Sequence, residues 1–180
     1  PLTLLEGKQI FVTGFMAAGK SKISPILAAL TNRVYLDTDE MIVEKAGKSI
    51  PELFDQDGED VFRDLEHECV KEAAVGSASI VSLGGGAIAH DRNWDAIGSN
   101  GVSLCIRASV ETIFDRVSRK RDERPLLAGL DDEACLAKIT AMMGEREAFY
   151  ARANVFVISD EVKSPEDAAV EALELLKGVV

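Results

Sequence analysis

Cysteine and histidine are scarce in this sequence, and a net positive charge is absent. The cysteines number three, Cys69, Cys105 and Cys135, far apart and without C-x-x-C spacing. That argues against a disulfide framework or a zinc site and for reduced thiols used in packing. The two histidines, His67 and His90, lack a ligand partner at i+3 or i+4, which favours surface or helix-side roles over metal binding. A formal charge of -11 disfavours nucleic acid as a partner, since such a surface needs a basic stripe to displace counterions. A small anion can still be held by a local arginine cluster. No apolar run approaches the roughly 18 residues that a membrane span requires, so no membrane partner is expected. The first residues show no charged-then-apolar leader, which predicts a cytoplasmic protein. Repeats, linkers and low-complexity segments are also missing, and 180 residues suit one domain, 1–180, with a single core.

What is present is a phosphate-loop motif. Gly14-Phe15-Met16-Ala17-Ala18-Gly19-Lys20-Ser21 fits G-x-x-x-x-G-K-[ST], and the apolar β-branched run Ile10–Thr13 precedes it as a buried strand should. Glycines let the backbone curl and aim N–H groups at phosphates, and a helix starting at the loop adds its positive dipole end. Lys20 supplies a mobile charge, while Ser21 offers a hydroxyl to Mg²⁺. The ligand expected here is ATP.

Further strand-like runs lie at 34–36, 79–83, 102–106 and 155–158, separated by segments of helical periodicity such as Ile23-Ile26-Leu27-Leu30 and Val110-Ile113-Phe114-Val117. This alternation predicts an α/β fold of the three-layer P-loop kinase type, a five-stranded parallel sheet with helices on both faces. Ligands in such sheets sit beyond the carboxyl ends of the strands. After the second strand comes Asp37-Thr38-Asp39, where one acid can serve the Mg²⁺ shell and the other a substrate hydroxyl. The competing reading makes Thr38 or Asp39 a cap for the next helix.

Ser49-Ile50-Pro51-Glu52 opens a helix, and the segment from Asp57 to Val75 carries Phe62, Leu65, Cys69 and Ala73 on one stripe. Arg63 and Glu66, three apart, share a face on which the carboxylate can fix the guanidinium, unless the pair is plain surface decoration. Gly84-Gly85-Gly86 ends the third strand, either to admit a ligand ring or carboxylate to the backbone or only to turn sharply. From Arg116 to Arg124 a basic stretch runs into Pro125 and Gly129, either a lid that carries an arginine to the phosphates or a solvated charge run. The segment from Asp131 to Ala153 has helical pattern with Arg146 and Tyr150 four apart, and a last loop, Ser159 to Pro165, starts the final helix.

Taken in order, GFMAAGKS, LDTD, FRDLE, SLGGGA, RPLLAG and REAFY resemble shikimate kinase over nearly the whole chain. The resemblance implies ATP-dependent phosphorylation of shikimate by a cytoplasmic monomer, with ATP and Mg²⁺ as cofactors. On matching positions it implies that the loop backbone from Gly14 through Ala17, Ala18 and Gly19 binds the phosphates together with Lys20, Ser21 and Lys22. Ser21 and Asp37 would hold Mg²⁺. Asp39, Arg63, Gly84, Gly85, Gly86 and Arg146 would bind shikimate, with Asp39 also the candidate base. Arg124 would be the lid arginine, in a lid of about 117–131, and Arg116 would stack on adenine beside the 159–165 loop. The helices of about 38–75 would form the acceptor side.

The chain departs from that pattern where family members usually carry glycine near Ala17, threonine at Lys22 and glycine at Ser24. The first and third put small side chains at tight packing points, and the second sets a cation beside the phosphates. Two other functions share part of this signature: another small-metabolite kinase, of gluconate type, and a nucleotide-binding module without catalysis.

Overall fold

The computed structural model describes residue 5 and residues 7–119 and 126–179. Its sheet has five parallel strands, β1 (Gln9–Thr13), β2 (Val34–Asp37), β3 (Ser79–Ser82), β4 (Gly101–Arg107) and β5 (Val155–Ile158), in the order β2-β3-β1-β4-β5. All residues of β1 and β3 are buried, with apolar centres Ile10–Val12 and Ile80–Val81 between buried polar ends. The edge strands β2 and β5 are half exposed.

Gln9 is the polar exception in β1. Its Nε2 donates to the carbonyls of Gly76 and Ser77 at 2.9 and 3.0 Å, and its Oε1 accepts from the amide and hydroxyl of Ser79 at 2.7 Å. The buried amide is thus fully used and pins the start of β3 to β1.

Helices cover both faces of the sheet. Helices α1 (Lys20–Thr31), α2 (Thr38–Ala46), α3 (Ile50–Gln56) and α4 (Glu59–Val75) precede α5 (Asp91–Asn100), α6 (Val110–Ser118), α7 (Asp132–Tyr150) and α8 (Pro165–Lys177). α1 packs on α8, α4 on α5 and α6 on α7. Ser49 closes a capping box with Glu52 at the head of α3, where the sequence predicts a helix start. The cysteines are buried and unpaired, as expected of packing thiols. Among the described residues no helix is long and apolar enough to cross a membrane.

Two features were not legible in the sequence. α5 has poor helix formers (DRNWDAIGSN) and forms because Trp94 and Ile97 bury, with Trp94 Nε1 donating to Ile88 O and Asn93 Nδ2 to Ala87 O, both at 2.8 Å. Further, α2, α3 and α4 share a small core of their own, Ile42, Leu53, Phe62 and Cys69, apart from the main one. That subcore lets the three helices act as one unit beside the sheet.

Candidate active site

The phosphate loop leaves β1 through Gly14, at φ 145°, where a Cβ would stand 2.4 Å from the Ile106 carbonyl of β4. Only glycine fits there. α1 then starts after Gly19 without any side-chain cap; within the loop and first turn the Ala18 amide donates to Phe15 O at 3.1 Å and the Lys22 amide to Gly19 O at 3.0 Å, and the positive end of the helix dipole faces the loop. Lys20 Nζ folds back on the loop, donating to Gly14 O at 2.7 Å and Phe15 O at 3.3 Å. Ser21 and Lys22 are exposed in the first turn.

A cavity of about 790 Å³ opens beside this turn, lined among others by Ala17, Ser21, Lys22, Arg116, Ser159 and Pro165. Arg116 spans it. The guanidinium donates to Ala17 O and Ala18 O at 3.2 and 3.3 Å, to Ser159 Oγ and Asp160 O at 3.1 Å, and to Glu161 at 2.9 Å. The phosphate loop and the 159–165 loop are therefore tied by one side chain, as expected if both border the same ligand.

At the end of β2 the cap of α2 is Asp37, and not Thr38 or Asp39 as the competing reading held: Asp37 Oδ1 accepts from the Asp39 amide at 2.9 Å. Its Oδ2 accepts from Tyr35 OH at 3.0 Å. A carboxylate has about four acceptor sites, so both oxygens keep a free lone pair. The candidate donors, the Asp37 carboxylate and the Ser21 hydroxyl, are all oxygen, which suits a hard cation such as Mg²⁺. Burial first, and then the neighbouring Asp37 charge, raise the pKa of Asp39, against the opposing pull of Lys20 and Arg63. A cation at Asp37 would relieve that repulsion, so these residues fit the metal.

Thr38 is fully buried. Its hydroxyl donates to Ser82 O at 3.3 Å and accepts from the Gly84 amide at 3.0 Å, locking the acid pair onto the glycine triplet. Sequence reasoning assigned Thr38 no such role, and no motif signals it, because its partners lie 44 and 46 residues away.

The triplet is a contact point rather than a mere turn. A Cβ on Gly84 would stand 2.6 Å from Asp39 Oδ1 and 3.3 Å from Glu66 Oε1; one on Gly86 would stand 3.0 Å from Arg63 Nη1. Gly85 abuts the phosphate loop, its Cβ position lying 3.5 Å from the Met16 amide. Arg146 Nη1 and Tyr150 OH both donate to the Gly85 carbonyl, at 3.1 and 3.2 Å. Arg146 also lies over the Phe15 ring at 5.8 Å.

Arg63 is no surface decoration. Its Nη1 donates to both oxygens of Glu66 at 3.0 and 3.1 Å, and Nε and Nη2 donate to Glu59 on the preceding turn. Glu66 is 1 % exposed, and its pKa is raised, by burial first, with Arg63 opposing. The guanidinium is thus aimed before any ligand arrives. The structure brings Asp37, Asp39, Arg63, Gly84 to Gly86 and Arg146 together beside the loop of Gly14 to Ser21. Arg124 lies outside the described residues, as does part of the expected lid.

The three departures also find their places. Ala17 is half-buried and packs against the main core; it sits at φ 59°, a left-handed conformation that costs an L-residue strain. Ser24 is wholly buried, and its hydroxyl is one of the buried side-chain groups that lack a hydrogen-bond partner. Lys22 lines the cavity with its side chain exposed.

The family profile described as "Shikimate kinase" matches residues 16–177. A shikimate kinase of Geobacter metallireducens is 39% identical over 171 residues, covering 95% of this chain and 93% of its own. The solved shikimate kinase of Acinetobacter baumannii, in complex with shikimate, superposes with a TM-score of 0.88 at 29% identity, covering 99% and 98% of the two chains. A gluconokinase from Sinorhizobium meliloti has a TM-score of 0.62 at 13% identity over 96% of this chain and 93% of its own, which is likeness of fold alone.

Proposed function

The chain belongs to the shikimate kinase family, and from that membership we propose how its own residues carry the reaction. It is a phosphotransferase with an alcohol acceptor: with ATP it phosphorylates shikimate to shikimate 3-phosphate, a step towards chorismate and the aromatic amino acids. The observation that supports this reading for the chain itself is the meeting of Asp39, Arg63, Arg146 and the glycine triplet against the phosphate loop.

The loop N–H groups and the head of α1 take the ATP phosphates. Lys20 leaves the carbonyls of Gly14 and Phe15 for the outer phosphate oxygens. Ser21 and Asp37 would hold Mg²⁺, directly or through water; when bound, the ion neutralises charge across the β- and γ-phosphates. Arg63 and Arg146 fork the shikimate carboxylate, a geometry that a lysine point charge cannot supply. Gly84 to Gly86 let the ring reach the backbone. Asp39 orients the hydroxyl and accepts its proton, a task its raised pKa assists. Phosphoryl transfer through a loose transition state needs aim and positive charge more than a strong base. Arg124, from a lid of about 117–131, meets the phosphoryl group, and Arg116 with the 159–165 loop borders adenine. The unit 38–75, with its own small core, forms the acceptor side. The enzyme works as a cytoplasmic monomer of one domain.

A coupled assay of ADP release with shikimate, with gluconate and without acceptor tests the assignment. Release should depend on shikimate and vanish in Lys20→Met. Arg63→Ala forfeits charge-assisted bonds of roughly 1.5 to 3 kcal/mol, so KM for shikimate should rise about 10- to 150-fold with that for ATP unchanged. Equal turnover of gluconate, or an Arg63→Ala enzyme with native shikimate KM, overturns it.

A further inference from the structure

Arg116 does more at the cavity than border it. It leaves the last turn of α6, a helix anchored by the buried Ile113 and Val117, and reaches two loops at once. Nη1 donates to the Ala17 and Ala18 carbonyls of the phosphate loop and to the Ser159 hydroxyl, while Nη2 donates to Asp160 O and Nε to Glu161. The second loop is firmly held. The Ser159 amide donates to Arg107 O at 2.7 Å, extending the β4–β5 ladder, and Asp160 Oδ1 accepts from the amides of Val162 and Lys163 at 2.9 and 2.8 Å. A Cβ on Gly19 would stand 3.1 Å from Ser159 Oγ, so the two loops also touch where α1 begins. The sheet thus holds the 159–165 loop, and through Arg116 it holds the phosphate loop.

The phosphate loop needs such a hold. Ala17 sits at φ 59°, which an alanine keeps only when its surroundings impose it. Within the loop the other ties are the Ala18 amide on Phe15 O and Lys20 Nζ on Gly14 O and Phe15 O. In the proposed reaction Lys20 leaves those carbonyls for a phosphate, and its hold is then gone. A planar trans peptide unit points its C=O and its N–H in opposite directions. Donors on Ala17 O and Ala18 O therefore turn the amides of Ala18 and Gly19 away from the guanidinium and fix their direction. The positive charge at those carbonyls also polarises both units, which makes the amides at their far ends better donors.

We infer that Arg116 is a positioning residue for the phosphate site: its guanidinium sets the Ala17–Gly19 backbone in the form that receives phosphate, whatever base the nucleotide carries. The inference rests on the loop as the phosphate site and gives Arg116 a role separate from adenine. The two roles are compatible, because the guanidinium N–H groups all lie in one plane. Its edge serves the carbonyls, and a face is left for a flat ring. A lysine has the charge but not the fork.

Calorimetric titration of the intact chain with tripolyphosphate and Mg²⁺, a ligand with phosphates and no base, separates the roles; ADP and shikimate are titrated beside it. Arg116→Ala should weaken tripolyphosphate about tenfold, the scale of one lost charge-assisted hydrogen bond, and ADP by at least as much. Arg116→Lys should stay closer to the alanine variant than to wild type. Shikimate affinity without nucleotide should match wild type in both variants, which general damage to the fold would not allow. Native tripolyphosphate affinity in Arg116→Ala, with ADP alone weakened, overturns the inference and leaves Arg116 an adenine contact. Full recovery in Arg116→Lys overturns it too, since charge alone would then suffice, and so does a loss of shikimate affinity in step with that of tripolyphosphate. A wild type that binds no tripolyphosphate overturns the phosphate-site reading instead, and the inference with it.

Discussion

Lys22 is the residue whose effect changes sign with the state of the site. In the first turn of α1 a cation opposes the helix dipole, at a cost of roughly 0.3 to 1 kcal/mol while the loop is free. Once phosphates occupy the loop their negative charge outweighs the dipole, and the exposed ammonium attracts them through solvent that salt can screen. Lys22→Thr should raise the apo melting temperature, weaken ADP binding and flatten its salt dependence, with kcat within a few-fold of wild type. Calorimetric ADP titrations at low and high salt check this; equal affinities for both proteins at both salts would exclude a phosphate role. Glu66 makes the complementary case of a charge that serves aim rather than stability. Its raised pKa means the folded state binds the proton more tightly than the unfolded chain does. The stability this gives is present below the ordinary carboxylate range and lost as pH rises through the folded pKa. In Glu66→Gln that loss is removed, so the melting temperature of the variant relative to wild type should climb between about pH 4 and pH 7. Its KM for shikimate should rise, because the Arg63 fork loosens. Calorimetric melts across that range decide it: a relative melting temperature that falls with pH would show that the Arg63 pair outweighs burial.

The element that concentrates local cost is the phosphate loop with α1. Ala17 holds a positive φ, Ser24 buries an unpaired hydroxyl, and Pro25 inside α1 removes the N–H that would have bonded the Ser21 carbonyl. All three lie in the phosphate loop or the first half of α1. Ala17→Gly should stabilise the free protein by about 0.5 to 1 kcal/mol, the relief of left-handed strain less the added freedom of the unfolded chain. Ser24→Ala should add about 1 kcal/mol by removing the unsatisfied group and improving helix propensity. Urea unfolding midpoints of the two variants measure these gains, and a loss at either position would mean the hydroxyl or the methyl has a partner that offsets its cost.

At the scale of the whole molecule, a net charge of -11 surrounds a site built from Lys20, Arg63, Arg116 and Arg146. Salt thus acts on stability and on binding in opposite directions. Raising ionic strength from about 0.02 to 0.2 M shortens the screening length to below about 10 Å, which relieves the self-repulsion of the acidic surface. The melting temperature of the free enzyme should rise while KM for ATP also rises. Melting curves and initial rates over one salt series test both, and a melting temperature that falls with salt would mean ion pairs such as Arg152–Asp91 and Arg92–Asp64 outweigh the repulsion.

The sequence by itself determined the strands in chain order, the phosphate-loop motif and the candidate residues that the fold brings beside it, because each depends on local chemistry. Glycine where the backbone must turn, apolar runs where a strand is buried on both faces, and guanidinium where a carboxylate must be gripped are readable in a few adjacent positions. The helix start at Ser49, and the pairing of Arg63 with Glu66, were legible for the same reason: the residues involved lie within one helical turn. Tertiary structure alone decided what depends on partners distant in the chain. The cap of α2 fell to Asp37 because β2 delivers it extended, and Thr38 was freed to bond Ser82 at the end of the neighbouring strand and Gly84 just beyond it. α5 formed against its own propensity because Trp94 and Ile97 had a core to enter. Arg116 bridged two loops more than 40 residues from it. Periodicity and motif record what a residue does to its neighbours in the chain; burial and electrostatics act through space, and only the packed sheet and helices set those distances.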